Sequence, residues 1–384
     1  MIRVNEPLLG KEEFNKVVAC LKSNWISSQG KYLSEFEEKF AHFCGVEYGI
    51  STTSGTTALH LALAALSLKP GDEVLLPTFT MGATAFAVCY CGATPVFIDS
   101  EPETFNIDLE RVSSYLHSQE KRGKVKVKAI LPVHMYGHPV DMDPLLEIAD
   151  KFSIAVVEDA AEAHGAEYKG KRCGSFGAFG CFSFYANKII TTGEGGMVVT
   201  NDLRLADKAR RLKDLAHAPS KRFLHTDLGF NYRMTNLQAA LGVAQLKKIT
   251  SHIKKKFWMA KEYKKGLKDI TGLRLPIEKP WAKSVYWMYG VLVEKALGLS
   301  RDELMNQLKK QGIETRSFFI PMHLQPVFSR GHIKAKRYGA YPVAEKLSEQ
   351  GFYLPSGLTI SRDQILYICQ QIKRIVRTYR PKSS

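Results

Sequence analysis

The sequence predicts an α/β protein in which a large, mostly parallel sheet carries helices on both faces and a smaller C-terminal α+β domain follows. Three observations predict it. From about residue 46, short apolar runs alternate with helically patterned stretches, the rhythm of repeated βαβ units. Those runs are rich in Val, Ile and Leu without polar alternation, as strands covered on both faces are. After residue 202 the pattern turns helical, and GLRLPIEKP (272–280), rich in turn residues, separates it from new strand patterns.

Taken in order, the predicted strands are EVLLP (73–77), TPVFID (94–99), VKAILPV (127–133), SIAVVED (153–159), GCFSFYA (180–186) and GMVVTN (196–201). Helical spacing over 81–91, 108–117 and 141–151 separates the first four. Helices follow in RLADKARRLKDL, in TNLQAALGVAQLKKI and in a basic stretch to about 268. VYWMYGVLV (285–293), a helix at 300–310, a strand near 313–319 and a final helix near 362–379 make the smaller domain. This places a large domain at 1–250, with residues 1–25 near the small domain, and a linking helix and small domain at 251–384. At 384 residues the chain is long enough for two such cores.

Composition narrows the class. No apolar run reaches the roughly 18 residues that span a bilayer, and MIRVNEPLLGKEEF carries no apolar signal region, so a cytoplasmic protein off the membrane is expected. Seven scattered cysteines without a CxxC pair read as reduced thiols and make a zinc site improbable. The net charge of +16 is uneven: residues 1–246 hold 26 basic and 28 acidic side chains, residues 247–384 hold 28 and 10. Such an excess, including Lys254-Lys255-Lys256, reads first as a solvated helical face and second as a field drawing in an anionic small substrate. No nucleic-acid-binding motif accompanies it, so no nucleic-acid partner is expected.

Three stretches carry chemistry. In STTSGTTALHLALAAL (51–66), Ser54 is a good N-cap and Gly55-Thr56-Thr57 opens an apolar helix; free N–H groups there can hold phosphate, though most such starts only cap the helix. In IAVVEDAAEAHG (154–165), Asp159 ends a strand, where ligands of open α/β sheets gather. It could cap a helix, bind a metal with Glu158, Glu162 and His164, or pair with a cationic ligand. In FSFYANKIITTGEGG (182–196), Lys188 is the only charged residue between Arg172 and Glu194. Low polarity around an amine depresses its pKa and exposes a nucleophilic lone pair, and the glycines after it allow positive φ and close approach to a bulky ligand. A phosphate at Gly55–Thr56, a pyridine nitrogen at Asp159 and an aldehyde on Lys188 jointly describe pyridoxal 5'-phosphate.

These residues resemble the sugar aminotransferases of the DegT/DnrJ/EryC1/StrS family, with the fold type I architecture of aspartate aminotransferase. The resemblance spans almost the whole chain, through SNWISSQGKYLSEFEEKFA, SGTTALHLAL, GDEVLLPTFT, CGATPVFID, VHMYGHPVDM, VEDAAEAHGAEYKGKRCGSFG, FSFYANKIITTGEGGMVVTND and GFNYRMTN. Within the family, WISSQGKY, VHMYGHPVDM, AEAHG and GFNYRMTN are most similar to the members that aminate C4 of GDP-4-keto-6-deoxy-D-mannose, making GDP-perosamine. The resemblance implies Lys188 as the lysine that carries the cofactor, Asp159 as partner of the pyridine nitrogen, and Gly55, Thr56 and Ser183 as phosphate ligands. It implies Glu162 near the ring hydroxyl and Asn231 reaching the phosphate from the other subunit of a homodimer. Met81 stands where many relatives stack an aromatic ring on the cofactor, and a thioether contact replaces it. His217-Ala218 stands where many read His-Gly. Family dehydratases have His in place of the lysine, so Lys188 argues for amination.

The expected reaction is a two-step transamination, from L-glutamate to the cofactor, with pyridoxamine 5'-phosphate as intermediate, and then to a keto sugar carried on a nucleotide. Lys188 moves the protons in both steps. Trp25, Ser27, His134, Tyr185, Arg316 and His323 are the candidate sugar or diphosphate contacts, with structural roles as the alternative for His134, Arg316 and His323. UDP- or dTDP-linked sugars, or amination at C3, are the nearest rivals; a metal-dependent hydrolase built on Glu158, Asp159, Glu162 and His164 is the rival of another class.

Overall fold

The computed structural model describes residues 1–123, 125–218, 220–330 and 333–379. Among them, eight strands form the main sheet in the order Tyr48–Thr52, Gly196–Thr200, Phe179–Ser183, Ala155–Asp159, Val127–Ile130, Glu73–Pro77, Thr94–Ile98 and Lys336–Arg337. The pairs from Phe179–Ser183 to Lys336–Arg337 are parallel, and Gly196–Thr200 runs antiparallel to both its neighbours. The central strands are buried along nearly their whole length, which explains their unbroken apolar patterns.

Parallel strands share a carboxyl end. Thr52, Pro77, Ile130, Asp159 and Ser183 therefore finish on one edge of the sheet, and the segments that follow them carry Ser54, Met81, His134 and Lys188. Two strands stop short of their apolar runs: VKAILPV is a strand only to Ile130 and GCFSFYA only to Ser183, because the last residues of each run turn into this edge.

The Gly55–Ala65 helix begins at a capping box in which Ser54 accepts from the Thr57 N–H at 3.2 Å and the Thr57 hydroxyl accepts from the Ser54 N–H at 2.9 Å. Thr235 and Gln238 make a second box, opening a single 32-residue helix, Asn236–Leu267, that joins the two helical stretches read from the sequence. Helices Lys11–Lys22 and Lys31–Cys44 have no sequence expectation; both start at a glycine that offers no capping side chain.

A second, antiparallel sheet orders Leu273–Arg274, Tyr289–Val293, Gly351–Leu354 and Arg316–Ser317. Its core joins Tyr263, Tyr289, Leu304, Phe352 and Ile368. Ile2 bridges Ile313, the Val4 N–H donates to Glu314 at 3.0 Å, and the Lys11–Lys22 helix packs on Asn236–Leu267 through Lys248 and Glu13 at 2.7 Å. Among the described residues no helix is long and apolar enough to cross a membrane.

Candidate active site

Lys188 leaves the sheet edge five residues after the strand Phe179–Ser183, on a loop tied by its own backbone: the Lys188 N–H donates to the Tyr185 carbonyl at 2.9 Å and the Thr192 N–H to Phe184 at 3.0 Å. Phe182, Phe184, Ile189 and Ile190 are buried as the sequence suggests, while Tyr185 is half exposed. The glycine-rich turn supplies the positive φ that the sequence suggests, and its glycines also serve close packing. Gly193 adopts φ 81°, and a Cβ on Gly196 would stand 2.2 Å from the Ser54 carbonyl and one on Gly195 2.7 Å from the Met234 methyl. Gly196 lets this strand approach the helix start, and Gly195 makes room for Thr192 and Met234.

The Lys188 side chain keeps about 10% of its surface, and Nζ lies 3.9 Å from Glu162 Oε1 and 3.8 Å from the centre of the Trp287 ring. Burial lowers its pKa, against the pull of Glu162 and Asp159. Glu162 is itself buried, which pushes its carboxyl up to about 7 despite Lys188 and a hydrogen bond of 2.8 Å from the Tyr136 N–H. Tyr136 sits at φ 52°, a conformation rare for a bulky side chain, and that turn aims its N–H at Glu162.

Asp159 ends its strand with Oδ2 accepting from the Thr84 hydroxyl at 2.8 Å and Oδ1 from the Ala161 N–H at 3.2 Å. Thr80 backs Thr84 at 2.9 Å. Burial raises the Asp159 pKa even so, the condition of a carboxylate still lacking a full cationic partner.

Beside these groups the Gly55–Ala65 helix meets the end of the Phe179–Ser183 strand. A Cβ on Gly55 would lie 2.7 Å from the Ser183 Cβ, so glycine alone permits the approach. The capping box engages Ser54 and Thr57 and leaves the first-turn N–H groups of Gly55 and Thr56 without a partner among the described residues, with Ser183 packed against Gly55. An amine with a lowered pKa, a buried acid short of a cation and a helix start closed by Ser183 fit pyridoxal phosphate: aldehyde, ring nitrogen and phosphate each meet a suitable group. Met81 caps the next helix and is 58% exposed, free to cover a ring.

The remaining candidates divide. His134 is buried, its Nε2 3.0 Å from Glu158 and its Nδ1 accepting from the Val140 N–H at 3.0 Å. Glu158 also accepts from the N–H groups of Gly174, Phe176 and Gly177 at 2.7–2.8 Å. His164 is enclosed by Phe40, Phe182 and Phe184, and burial pushes its ring down to about 3. Among the described residues no three His, Cys, Asp or Glu side chains gather in a metal-binding group. His323 spends Nδ1 on Thr78 at 2.8 Å and faces Glu345 at 3.2 Å with Nε2. Arg316 is exposed on an edge strand opposite Tyr353.

Trp25 and Ser27 lie exposed on a segment whose carbonyls accept from Asn236, Trp25 from its side chain and Ser27 from its backbone, both at 2.6 Å. Asn231 is exposed, its backbone bridging Asp214, and within this chain it makes no hydrogen bond to Gly55, Thr56 or Ser183. Thr84, Trp287 and Asn236 are the site's neighbours that the sequence does not announce. Thr84 had one signal, a threonine in the first turn of the helix after PTFTM.

A lysine and two buried acids at the carboxyl edge of a parallel sheet, beside a helix start lined by Ser183, define an aminotransferase of the pyridoxal-phosphate class. Residues 7–373 match the DegT/DnrJ/EryC1/StrS aminotransferase family. The chain is 43% identical to the GDP-perosamine synthase of Caulobacter vibrioides, covering 93% of this chain and 94% of that one. It is 42% identical to the GDP-perosamine synthase of Escherichia coli O157:H7, covering 97% of each. The fold superposes on the X-ray structure of the aminotransferase from Psychrobacter cryohalolentis with a TM-score of 0.90 at 33% identity, over 97% of this chain and 98% of that one. The chain belongs to the DegT/DnrJ/EryC1/StrS aminotransferase family.

Proposed function

We propose that this enzyme transfers the amino group of L-glutamate to C4 of a nucleotide-linked 4-keto-6-deoxy sugar, GDP-4-keto-6-deoxy-D-mannose, giving GDP-perosamine and 2-oxoglutarate. The observation that carries the chemistry is the desolvated Lys188 amine facing Glu162, with Asp159 close enough to act on it. The likeness to two GDP-perosamine synthases supports the choice of sugar and nucleotide.

Bound pyridoxal phosphate supplies a conjugated ring that accepts the electron pair freed at a substrate carbon. The chain's own groups do the rest. The N–H groups of Gly55 and Thr56 and the hydroxyl of Ser183 hold phosphate. Asp159, braced by Thr84, keeps the ring nitrogen protonated. Met81 would cover a ring face, and Glu162 would meet the ring hydroxyl. The Lys188 amine, its pKa lowered by burial, takes a proton from the amino-acid Cα and later delivers one to sugar C4, so a single base serves both halves. Trp25, Ser27 and Tyr185, exposed on the surface, are offered to the sugar nucleotide. The active unit is a homodimer, with Asn231 serving the partner's phosphate site.

The spectrum tests the cofactor and donor: purified protein loaded with pyridoxal phosphate should absorb in the visible and bleach with L-glutamate. Offering GDP-, UDP- and dTDP-linked keto sugars then tests the acceptor. Protein that stays colourless with added cofactor sinks the class of chemistry; restored colour only with a UDP or dTDP sugar sinks the GDP assignment alone.

A further inference from the structure

Lys188 must hold its place twice: bound to the cofactor, and free while it moves protons. A freed lysine side chain has four rotatable bonds and an ammonium that prefers water. What keeps it at the site is a ring of contacts that closes on the amine. Nζ lies over the Trp287 indole, 3.8 Å from its centre. The Trp287 N–H donates to the Tyr136 carbonyl at 3.0 Å, the Tyr136 N–H donates to Glu162 at 2.8 Å, and Glu162 Oε1 returns to Nζ at 3.9 Å.

Trp287 also grips the backbone. Its indole N–H donates to the carbonyl of Asn187, immediately before the lysine, at 2.8 Å, and Asn5 shares that carbonyl at 2.8 Å. His252 holds the carbonyl of Ile189, immediately after it, at 3.0 Å. Trp287 is only 4% exposed, and its own carbonyl accepts from Lys256 at 2.9 Å, while the same Nζ reaches the Ser356 carbonyl. Packing alone would ask for a large apolar side chain here. The tryptophan adds a donor aimed at one peptide and a ring face turned to one ammonium.

We infer that Trp287 is a positioning residue for Lys188: its indole N–H fixes the peptide before the lysine, and its ring face seats the amine whenever it is free of cofactor. The inference rests on the reading of Lys188 as the cofactor-bearing base. The titratable groups whose charges act on the amine, or feel it, are Glu162, Asp159 and His164, and Lys256 ends on the backbone carbonyl of Trp287 itself. A cation over an indole is stabilised as a cation, so losing the ring face should lower the Lys188 pKa by about one, the equivalent of a desolvated cation–π contact.

The test uses the full-length chain stripped of cofactor. Acylation of Lys188 with acetic anhydride, read by peptide mass spectrometry across pH, gives the pKa of that one amine in the wild type, Trp287→Phe and Trp287→Leu. The Phe variant keeps most of the bulk should the Leu variant fail to fold. The expected order is wild type above Phe above Leu, with circular dichroism preserved in the variants scored. A pKa unchanged or raised in folded Trp287→Phe would overturn the inference and leave Trp287 a packing residue. Borohydride reduction of the loaded wild type tests the underlying reading separately: a reduced adduct on any lysine but 188 removes that reading while leaving the titration to stand.

Discussion

The Nε2 of His134 lies 3.0 Å from Glu158 while its Nδ1 accepts the Val140 N–H, so the ring is neutral and protonated on Nε2. With three backbone N–H groups at 2.7–2.8 Å, the two oxygens of Glu158 are fully engaged inside the protein. A carboxylate so engaged has no lone pair to offer a metal. It folds the 174–177 loop behind the strand that carries Asp159. Glu158→Ala would strand four donors and should lose about 3–5 kcal/mol of stability in denaturant unfolding, with Glu158→Gln recovering part. An Ala variant of native stability whose activity is lost and then restored by a divalent metal would return the residue to a ligand role.

One residue further along, the strand turns a carboxylate the other way, toward Thr84. Thr84→Val removes the 2.8 Å hydroxyl donor at nearly constant volume. Asp159 is already raised by burial; without the donor its proton leaves at still higher pH. The acid limb of cofactor binding should therefore move to higher pH, and affinity at neutral pH should fall by about tenfold, the value of one hydrogen bond to a charged group. Absorbance titration with pyridoxal phosphate at several pH values measures both. An unchanged acid limb would mean the hydroxyl does not act on Asp159.

How far the sequence reveals this site depends on distance along the chain. Lys188, Asp159, Ser54 and Gly55 are legible because their signals are local: a lone charge among apolar residues, an acid ending a strand, a cap before a helix. Their partners are not. Thr84 is 75 residues from Asp159, Trp287 comes from the segment before a strand of the second sheet, and Tyr136 meets Glu162 through a backbone turn that no side-chain pattern encodes. The same holds for the fold. Buried parallel strands show as apolar runs, whereas helices Lys11–Lys22 and Lys31–Cys44 begin at glycines and lack the Ser, Thr, Asp or Asn that announces a helix start. Lys256 is hidden for another reason. It sits in a basic run that reads as solvated, and its face of the long helix is known only once that helix is packed.

Gly55 makes the phosphate prediction specific. An added Cβ would stand 2.7 Å from the Ser183 Cβ, an atom no rotamer can move away. Gly55→Ala must push the helix start off the strand, at about 1–3 kcal/mol of overpacking. Affinity for pyridoxal phosphate should fall by about tenfold, a change of ~1.4 kcal/mol, while pyridoxal, which lacks the phosphate, binds as before. Equal losses for both ligands would show that Gly55 shapes the site as a whole.

Lys256 carries a pH prediction for stability. Burial lowers its pKa to about 7, and a neutral amine still has the two N–H donors that the Trp287 and Ser356 carbonyls use. Because the folded pKa lies below the unfolded one, the unfolded chain binds more protons between about 7 and 10.5. This group's contribution is thus fully present above the unfolded value and lost as pH falls toward 7. Thermal unfolding of the wild type should therefore include a rise in stability from pH 7 to 9.5 that Lys256→Met lacks. Parallel pH profiles for the two proteins would show that the amine stays charged in the folded state.

Asn231 decides whether the site is built from one chain or two. Its neighbours Phe230 and Tyr232 stack on each other at 4.9 Å and pack against His60, well down the helix whose first turn holds Gly55 and Thr56. From there the exposed Asn231 side chain makes no hydrogen bond to its own phosphate site. If it serves the partner's site, then Lys188→Ala and Asn231→Ala, each inactive alone, complement each other. A mixed dimer pairs the intact lysine of one chain with the intact asparagine of the other, giving one working site and one doubly broken. Random reassociation makes half the dimers mixed, so about a quarter of wild-type activity should return on co-refolding. Where each chain supplies its own asparagine, every lysine-bearing site in the mixture lacks it, and nothing returns. Sedimentation of the mixture, run alongside, confirms that dimers formed, so that silence in the assay counts against the shared site rather than against assembly.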